Sequence, residues 1–456
     1  MEAQRMAMRC ADRSTRIRGL AVPCRKMWLA WMTLALLALL TTTRAGVPSL
    51  VTDEEGNLHI ETPSVTEGTS RVVYINGVDV VAQNAALTTA LESLRQHVAT
   101  LGEPTFATAK LITASFTHPY ALARGDMNND GIMDILFTSL TFGQVGIAYN
   151  LGNGSFASSI NVVTYALASP HAILVMDTNN DGFKDFLVAD ADGGSVVAYT
   201  NTNPSAGTFS STVVADKLDA PVSLDELALN KDGFSDFVIA TENKDAIYLV
   251  QGGSTWSGPS QVVSGTANSP SAFSVRSGDM NNDGYADLVV MRTSADEVAL
   301  YTGSPTGTFY FSGVLPTLGA DYPRAIELGD LDNDGDLDVV LVASISNSVV
   351  IMFNQLNGQF SGELVSNSVA TPVALHLADL NGDGHLDILT TSFSSQQVVW
   401  FRNLGGGRFT NKLILGQGLS QPNSLVALDV DQDGDVDVVA TGENANHVVW
   451  YENLRL

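Results

Sequence analysis

One nine-residue pattern, Asp-x-[Asp/Asn]-x-Asp-Gly-x-x-Asp, returns at a near-constant interval along most of the chain, and such a period confines the fold to a repeat architecture. Its copies begin at residues 126, 177, 228, 279, 330, 379 and 429, in steps of 51, 51, 51, 51, 49 and 50 residues. Each copy brings the same flanking text. Seven residues before six of the copies stands a proline (Pro119, Pro170, Pro221, Pro323, Pro372, Pro422), opening a short run such as Ala325-Ile326-Glu327-Leu328. A β-branched run follows the loop (Val339-Val340-Leu341-Val342), then a polar turn and a second such run (Val349-Val350-Ile351-Met352-Phe353). A Gly-x-aromatic element, Gly358-Gln359-Phe360 or Gly407-Arg408-Phe409, opens a fourth extended stretch. Short runs bounded by Gly, Asn, Ser or Pro, without helical spacing between them, read as four strands per unit. Seven such units predict an all-β, seven-bladed propeller over residues 104–456.

The ends of the pattern predict how the ring closes. The last unit stops at Val448-Val449-Trp450-Tyr451-Glu452-Asn453 without its aromatic element, whereas Phe106 precedes Asp126 by 20 residues and has no earlier unit to belong to. The strand after Phe106 should therefore complete the last blade from the other end of the chain, leaving no open edge to pair with a second molecule.

The loops carry the chemistry. A hard dication such as calcium gathers about six to eight oxygens around one point, and a tight turn can deliver them from alternate positions. In the fifth unit Asp330, Asp332 and Asp334 stand at positions 1, 3 and 5, Gly335 permits the turn, the Asp336 carbonyl stands at position 7 and Asp338 at position 9. The seventh unit repeats this set with Asp429, Asp431, Asp433 and Asp437. Four units place asparagine at position 3: Asp126, Asn128, Asp130 and Asp134; Asp177, Asn179, Asp181 and Asp185; Asp279, Asn281, Asp283 and Asp287; Asp379, Asn381, Asp383 and Asp387. The third copy has Ala228 at position 1 and keeps Asn230, Asp232 and Asp236. An EF-hand would need glutamate at position 12, where the fifth unit has Leu341, and helices on both sides. Soft-metal sites would need Cys or His among the ligands. Asp, Asn and Gly favour plain turns as well, but a turn does not call for acids at alternate positions together. The expectation is six to seven Ca²⁺ sites set between strands.

These residues resemble the FG-GAP/VCBS repeat family, the propeller type of integrin α-subunit heads and of many secreted proteins. The resemblance covers roughly residues 104–456, because the loop, the preceding proline and the Gly-x-aromatic element recur in register. It implies metal loops between the first and second strands of each blade, on one face of the disc, with protein ligands taken on the opposite face. The residues after the repeated proline (Tyr120, His171, Val222, Arg324, Val373, Asn423) would then line that opposite face, either as a ligand surface or as unconstrained surface. The chain departs from integrin α chains in lacking a long leg region, a C-terminal membrane helix and disulfides, so receptor status does not follow from the fold. Arg124-Gly125-Asp126 spells an integrin-ligand tripeptide, but Asp126 is position 1 of a loop and should be engaged there.

Charge and leader set the compartment. The formal net charge is −26, from 23 Lys and Arg against 49 Asp and Glu, which argues against a nucleic-acid partner. Residues 1–45 read as a secretory signal: Arg25 and Lys26 precede an apolar run from Trp28 to Leu40, and Thr43-Arg44-Ala45 suits cleavage. The run falls short of the ~20 apolar residues of a spanning helix, so no stable membrane span is expected after cleavage, a retained type II anchor being the alternative. The segment also holds Cys10 and Cys24, the only cysteines, so the secreted chain would be braced by packing and metal rather than by disulfides. Of the 47 acids that remain, 22 are at loop ligand positions.

Residues 46–103 precede the ring. A short β segment is expected over 46–79, and Val80, Leu87, Leu91, Leu94, Val98 and Leu101 are spaced as on a helix, with Asn84 at the seam. That spacing suits either a short coiled coil joining copies of the chain or a helix packed on the ring. Asn153-Gly154-Ser155 is a glycosylation sequon. Together these features predict a secreted, calcium-binding adhesion module for an extracellular protein or glycan. The alternatives are an extracellular enzyme of the propeller polysaccharide-lyase type and a scaffold subunit. His118 and His171 lack an evident acid or nucleophile partner in sequence and read as surface residues, so no catalytic role is expected.

Overall fold

The computed structural model describes four short strands between residues 50 and 79 and, from 105 to 454, all residues except 228, 230–232, 264–271 and 356–358. The chain divides into residues 1–85 and 86–456. In the first unit Leu50–Thr52 pairs with Leu58–Ile60 and Tyr74–Ile75 with Val78–Asp79, both antiparallel. The expected leader over 1–45 and helix over 80–101 lie outside the described residues.

The second unit is a ring of seven four-stranded antiparallel sheets, each a blade. The fifth blade shows the plan: Pro323–Gly329, Asp338–Ala343, Ser348–Asn354 and Phe360–Ser366 pair in sequence order, so each acidic loop joins the first strand of its blade to the second. The seventh blade combines Pro422–Leu428, Asp437–Gly442 and His447–Tyr451 with Lys110–Thr113 from the other end of the ring. Val448 pairs with Thr113 and Val449 with Leu111, and Phe106 bridges to Asn453. The ring is closed as the sequence predicts.

Burial peaks in the middle of each blade, the innermost strand being mostly half-buried. The second strand is buried at every position in six blades, as in Asp134–Ser139 and Asp338–Ala343, because it has a sheet neighbour on both edges and packed side chains on both faces. The fourth strand is largely exposed, as in Tyr310–Val314. The hydrophobic core is not one mass but seven clusters, each built from two consecutive blades, and one of them joins the first blade (Ile135, Phe137) to the seventh (Val439, Trp450).

A buried asparagine fastens most of these seams. Sixteen residues after the last aspartate of the loop, Asn150, Asn201, Asn354, Asn403 and Asn453 each donate through Nδ2 to the position-2 carbonyl of the preceding blade's loop. The third and fourth blades have Gly252 and Gly303 at this place, where an added Cβ would meet the carbonyl oxygens of Ser235 and Ala286 at 2.3 and 2.0 Å. Asn403 donates to Leu331 at 2.7 Å and to Leu386 at 3.0 Å, so Asn403→Ala strands a buried carbonyl between two blades. The expected loss in stability is about 2–3 kcal/mol by urea denaturation, and a loss below about 0.5 kcal/mol would remove the latch from the account.

Candidate functional site

Each loop follows the innermost strand of its blade, and in the six loops that begin with aspartate the turn is built by the loop's own carboxylates. In the fifth blade Asp330 accepts from the backbone N–H of Asp334 (3.1 Å) and Gly335 (3.0 Å), and Asp334 accepts from Asp336 (3.0 Å). Asn333 at position 4 has φ 62° and Gly335 φ 96°, the left-handed backbone that bends the loop back on itself. The first, fourth, sixth and seventh loops repeat the bonds from positions 5 and 6 to the first aspartate.

Position 9 differs from the rest. Asp134, Asp185, Asp236, Asp287, Asp338, Asp387 and Asp437 are all 0% exposed. In each blade one carboxylate oxygen accepts from the position-2 N–H (Met127, Thr178, Leu229, Met280, Leu331, Leu380, Val430) at 2.9–3.2 Å. The other accepts from the N–H at the end of the third strand (Asn150, Asn201, Gly252, Gly303, Asn354, Asn403, Asn453) at 2.7–2.9 Å. This aspartate thus pins the loop to its own sheet. Burial pushes the carboxyls of Asp134, Asp338, Asp387 and Asp437 up to about 7, against the pull of those N–H groups, and raises Asp185 and Asp287 as well.

The donor set suits a hard cation best in the two loops with four aspartates. Asp330, Asp332 and Asp338 each bring an oxygen within 4.8 Å of the others, as do Asp429, Asp431 and Asp433. Burial and then the carboxylate of the neighbouring position-5 aspartate raise Asp332 and Asp431, so a positive charge there would relieve a standing penalty. Asp431 Oδ1, and Asp177 Oδ1 in the second loop, are buried without a hydrogen-bond partner. In the sixth loop Arg402 lies 3.3 Å from Asp383, a resident cation competing for that site. In the third loop Asn230 and Asp232 lie outside the described residues, and Asp236 keeps its two backbone bonds. The Arg124-Gly125-Asp126 tripeptide is not displayed: Gly125 is buried in the innermost strand, and Asp126 accepts from Asp130 and Gly131 within the loop.

At the other end of the innermost strands, Tyr120, His171, Val222, Arg324, Val373 and Asn423 all line one cavity of about 230 Å³ at the mouth of the central channel. The sequence places them together correctly but misses Phe273, which takes the same position in the fourth blade, where Ala272 replaces the proline. The 51-residue step from Val222 to Phe273 to Arg324 was the available signal. His171 is a cavity residue rather than a plain surface one, half-buried with its ring 5.5 Å from that of Tyr120. Its Nδ1 is 3.0 Å from the Ser169 carbonyl oxygen. Burial pushes the Tyr120 hydroxyl up, while Arg324 beside it acts in the opposite direction. Arg276 also lines the cavity and pairs with Glu327 at 3.2 Å.

The profile described as FG-GAP-like repeat matches residues 126–188, 229–290, 286–341, 340–390 and 379–440. Among solved structures the chain is similar to BBS1N bound to ARL6DN, at 12% identity over 77% of this chain and 97% of that one, with a TM-score of 0.54. It is similar too to virginiamycin B lyase from Staphylococcus aureus, at 13% identity over 77% and 100% of the two chains, with a TM-score of 0.53. At these identities the likeness is one of fold.

Proposed function

The chain belongs to the FG-GAP-like repeat family, and from that premise we propose that it is a secreted, calcium-stabilised β-propeller that binds an extracellular protein or glycan. Such a ring is a binding type of module, and the observation that carries calcium is the convergence of three carboxylates within 4.8 Å in the fifth and seventh loops. Asp330, Asp332, Asp334 and Asp338, and Asp429, Asp431, Asp433 and Asp437, would hold the tightest ions, with the Asn-bearing loops next and the sixth weakened by Arg402. Bound calcium would supply charge neutralisation and rigidity, not turnover. Secretion is supported by the leader-like residues 1–45 and by the exposed Asn153 of the sequon. Among the described residues no helix is long and apolar enough to cross a membrane.

Calcium stoichiometry separates this reading from plain acidic turns. Protein dialysed against calcium and measured by elemental analysis should carry about six ions per chain, and fewer than two would end the calcium proposal. Binding to a glycan array or capture on cell surfaces, with and without chelator, tests the module, and the absence of both in calcium would refute it. One arrangement favours the alternative of a lyase-type enzyme: the Tyr120–His171 pair beside Arg324. We propose binding instead, because the half-buried Tyr120, its hydroxyl pushed up by burial, stays protonated and cannot serve as the base. Incubation with acidic polysaccharides should release no unsaturated product.

A further inference from the structure

Arg324 has no structural counter-charge. Among the described residues no carboxylate lies within 4.0 Å of its guanidinium, whereas Arg276 pairs with Glu327 at 3.2 Å and Arg292 with Asp245 at 3.0 Å. The guanidinium is held instead over the ring of Phe273, 4.9 Å from its centroid, with Tyr322 at 5.9 Å. Its Nε is buried and has no hydrogen-bond partner. A buried donor without an acceptor is costly, and the planar fork of arginine matches a carboxylate or a phosphate, of which the formal charge of −26 disfavours the more highly charged phosphate. The aromatic rings thus fix a charged fork at the wall of a cavity, where the Tyr120 hydroxyl is a neutral partner and no carboxylate of the described residues pairs with it.

The rest of the mouth limits what can bring the carboxylate. Asn423 also lines the cavity and donates to Glu443, leaving oxygens able to accept from hydroxyl groups. A polyanion would be repelled by the formal charge of −26, so the carboxylate should stand alone on an otherwise neutral ligand. A cavity of about 230 Å³ limits that ligand to about one residue. An acidic sugar meets all three conditions, while an acidic side chain brings no hydroxyl donors.

We propose that the channel mouth opposite the acidic loops is a binding site for a single acidic sugar residue, its carboxylate on Arg324 and its hydroxyls toward Asn423. This site rests on the binding-module reading and names its ligand class. The test is titration of the full chain in calcium buffer, followed by saturation-transfer NMR, with glucuronate, glucose and N-acetylglutamate. Glucuronate should bind saturably, and the other two at least about tenfold more weakly. Arg324→Met should weaken glucuronate about tenfold or more without lowering the melting temperature, Arg324→Lys should lose most of the same binding, and Arg408→Met, outside the cavity, should leave it unchanged. Equal binding by wild type and Arg324→Met, equal binding of glucose, or a preference for N-acetylglutamate would each overturn the site. A chain that is captured on glycans or cell surfaces yet ignores glucuronate overturns this site alone, whereas one that captures nothing overturns the wider reading.

Discussion

In excess EGTA the protein should melt about 3–11 °C lower than in about 1 mM calcium. A site of ~0.1–1 mM affinity, usual for extracellular modules, adds about 0.4–1.4 kcal/mol at that concentration, so six sites add about 2–8 kcal/mol. Five of the loops take a bond from the next blade at position 2, so what they lose is felt beyond their own blade. The drop should also depend on pH. The position-9 carboxyls of Asp134, Asp338, Asp387 and Asp437 are pushed up to about 7 by burial, from an ordinary value of 3.8. Between those values the folded chain keeps protons that the unfolded chain has released, so without a cation stability falls as pH rises through the window and the penalty is complete above about 7. A bound cation meets the charge and flattens that slope. The calcium-induced rise in melting temperature should therefore be larger at about pH 8 than at about pH 5. A melt indifferent to chelator at both values would remove calcium from the stability of the ring.

The ring was legible because its units repeat: the loop register gives the blade count, the flanking runs give the strands, and the unmatched Phe106 gives the closure by Lys110–Thr113. A local pattern read once is ambiguous, but seven copies in register leave one architecture that buries every second strand. Two features escaped for physical reasons. The inter-blade asparagine is a single polar residue at the end of an apolar strand, as at Asn403 after Trp400 and Phe401, and its meaning lies in a carbonyl some 72 residues away in sequence. No local period announces a bond of that reach. The charge on Arg324 was visible, but its lack of a carboxylate partner among the described residues was not, since that depends on Phe273 and Tyr322 standing beside it.

The double role of position 9 gives the second large effect. Asp330→Ala removes a ligand from a loop whose N–H groups at Asp334 and Gly335 are exposed, so water can replace the lost acceptor. Asp338→Ala removes a ligand and also leaves the buried N–H groups of Leu331 and Asn354 unpaired. With calcium both variants should lose affinity in the fifth loop. With chelator they should part company: Asp330→Ala should unfold within about 0.5 kcal/mol of wild type, and Asp338→Ala about 2–6 kcal/mol below it, from two stranded donors at about 1–3 kcal/mol each. The comparison belongs at about pH 5, below the raised value of about 7 for Asp338, where the wild-type carboxyl is largely protonated. At higher pH the substitution would also abolish an unfavourable buried charge and hide part of the loss. Were the two variants equally stable in chelator at the lower pH, position 9 would be a ligand and nothing more, and the pinning of each loop to its sheet would have to come from the turn alone.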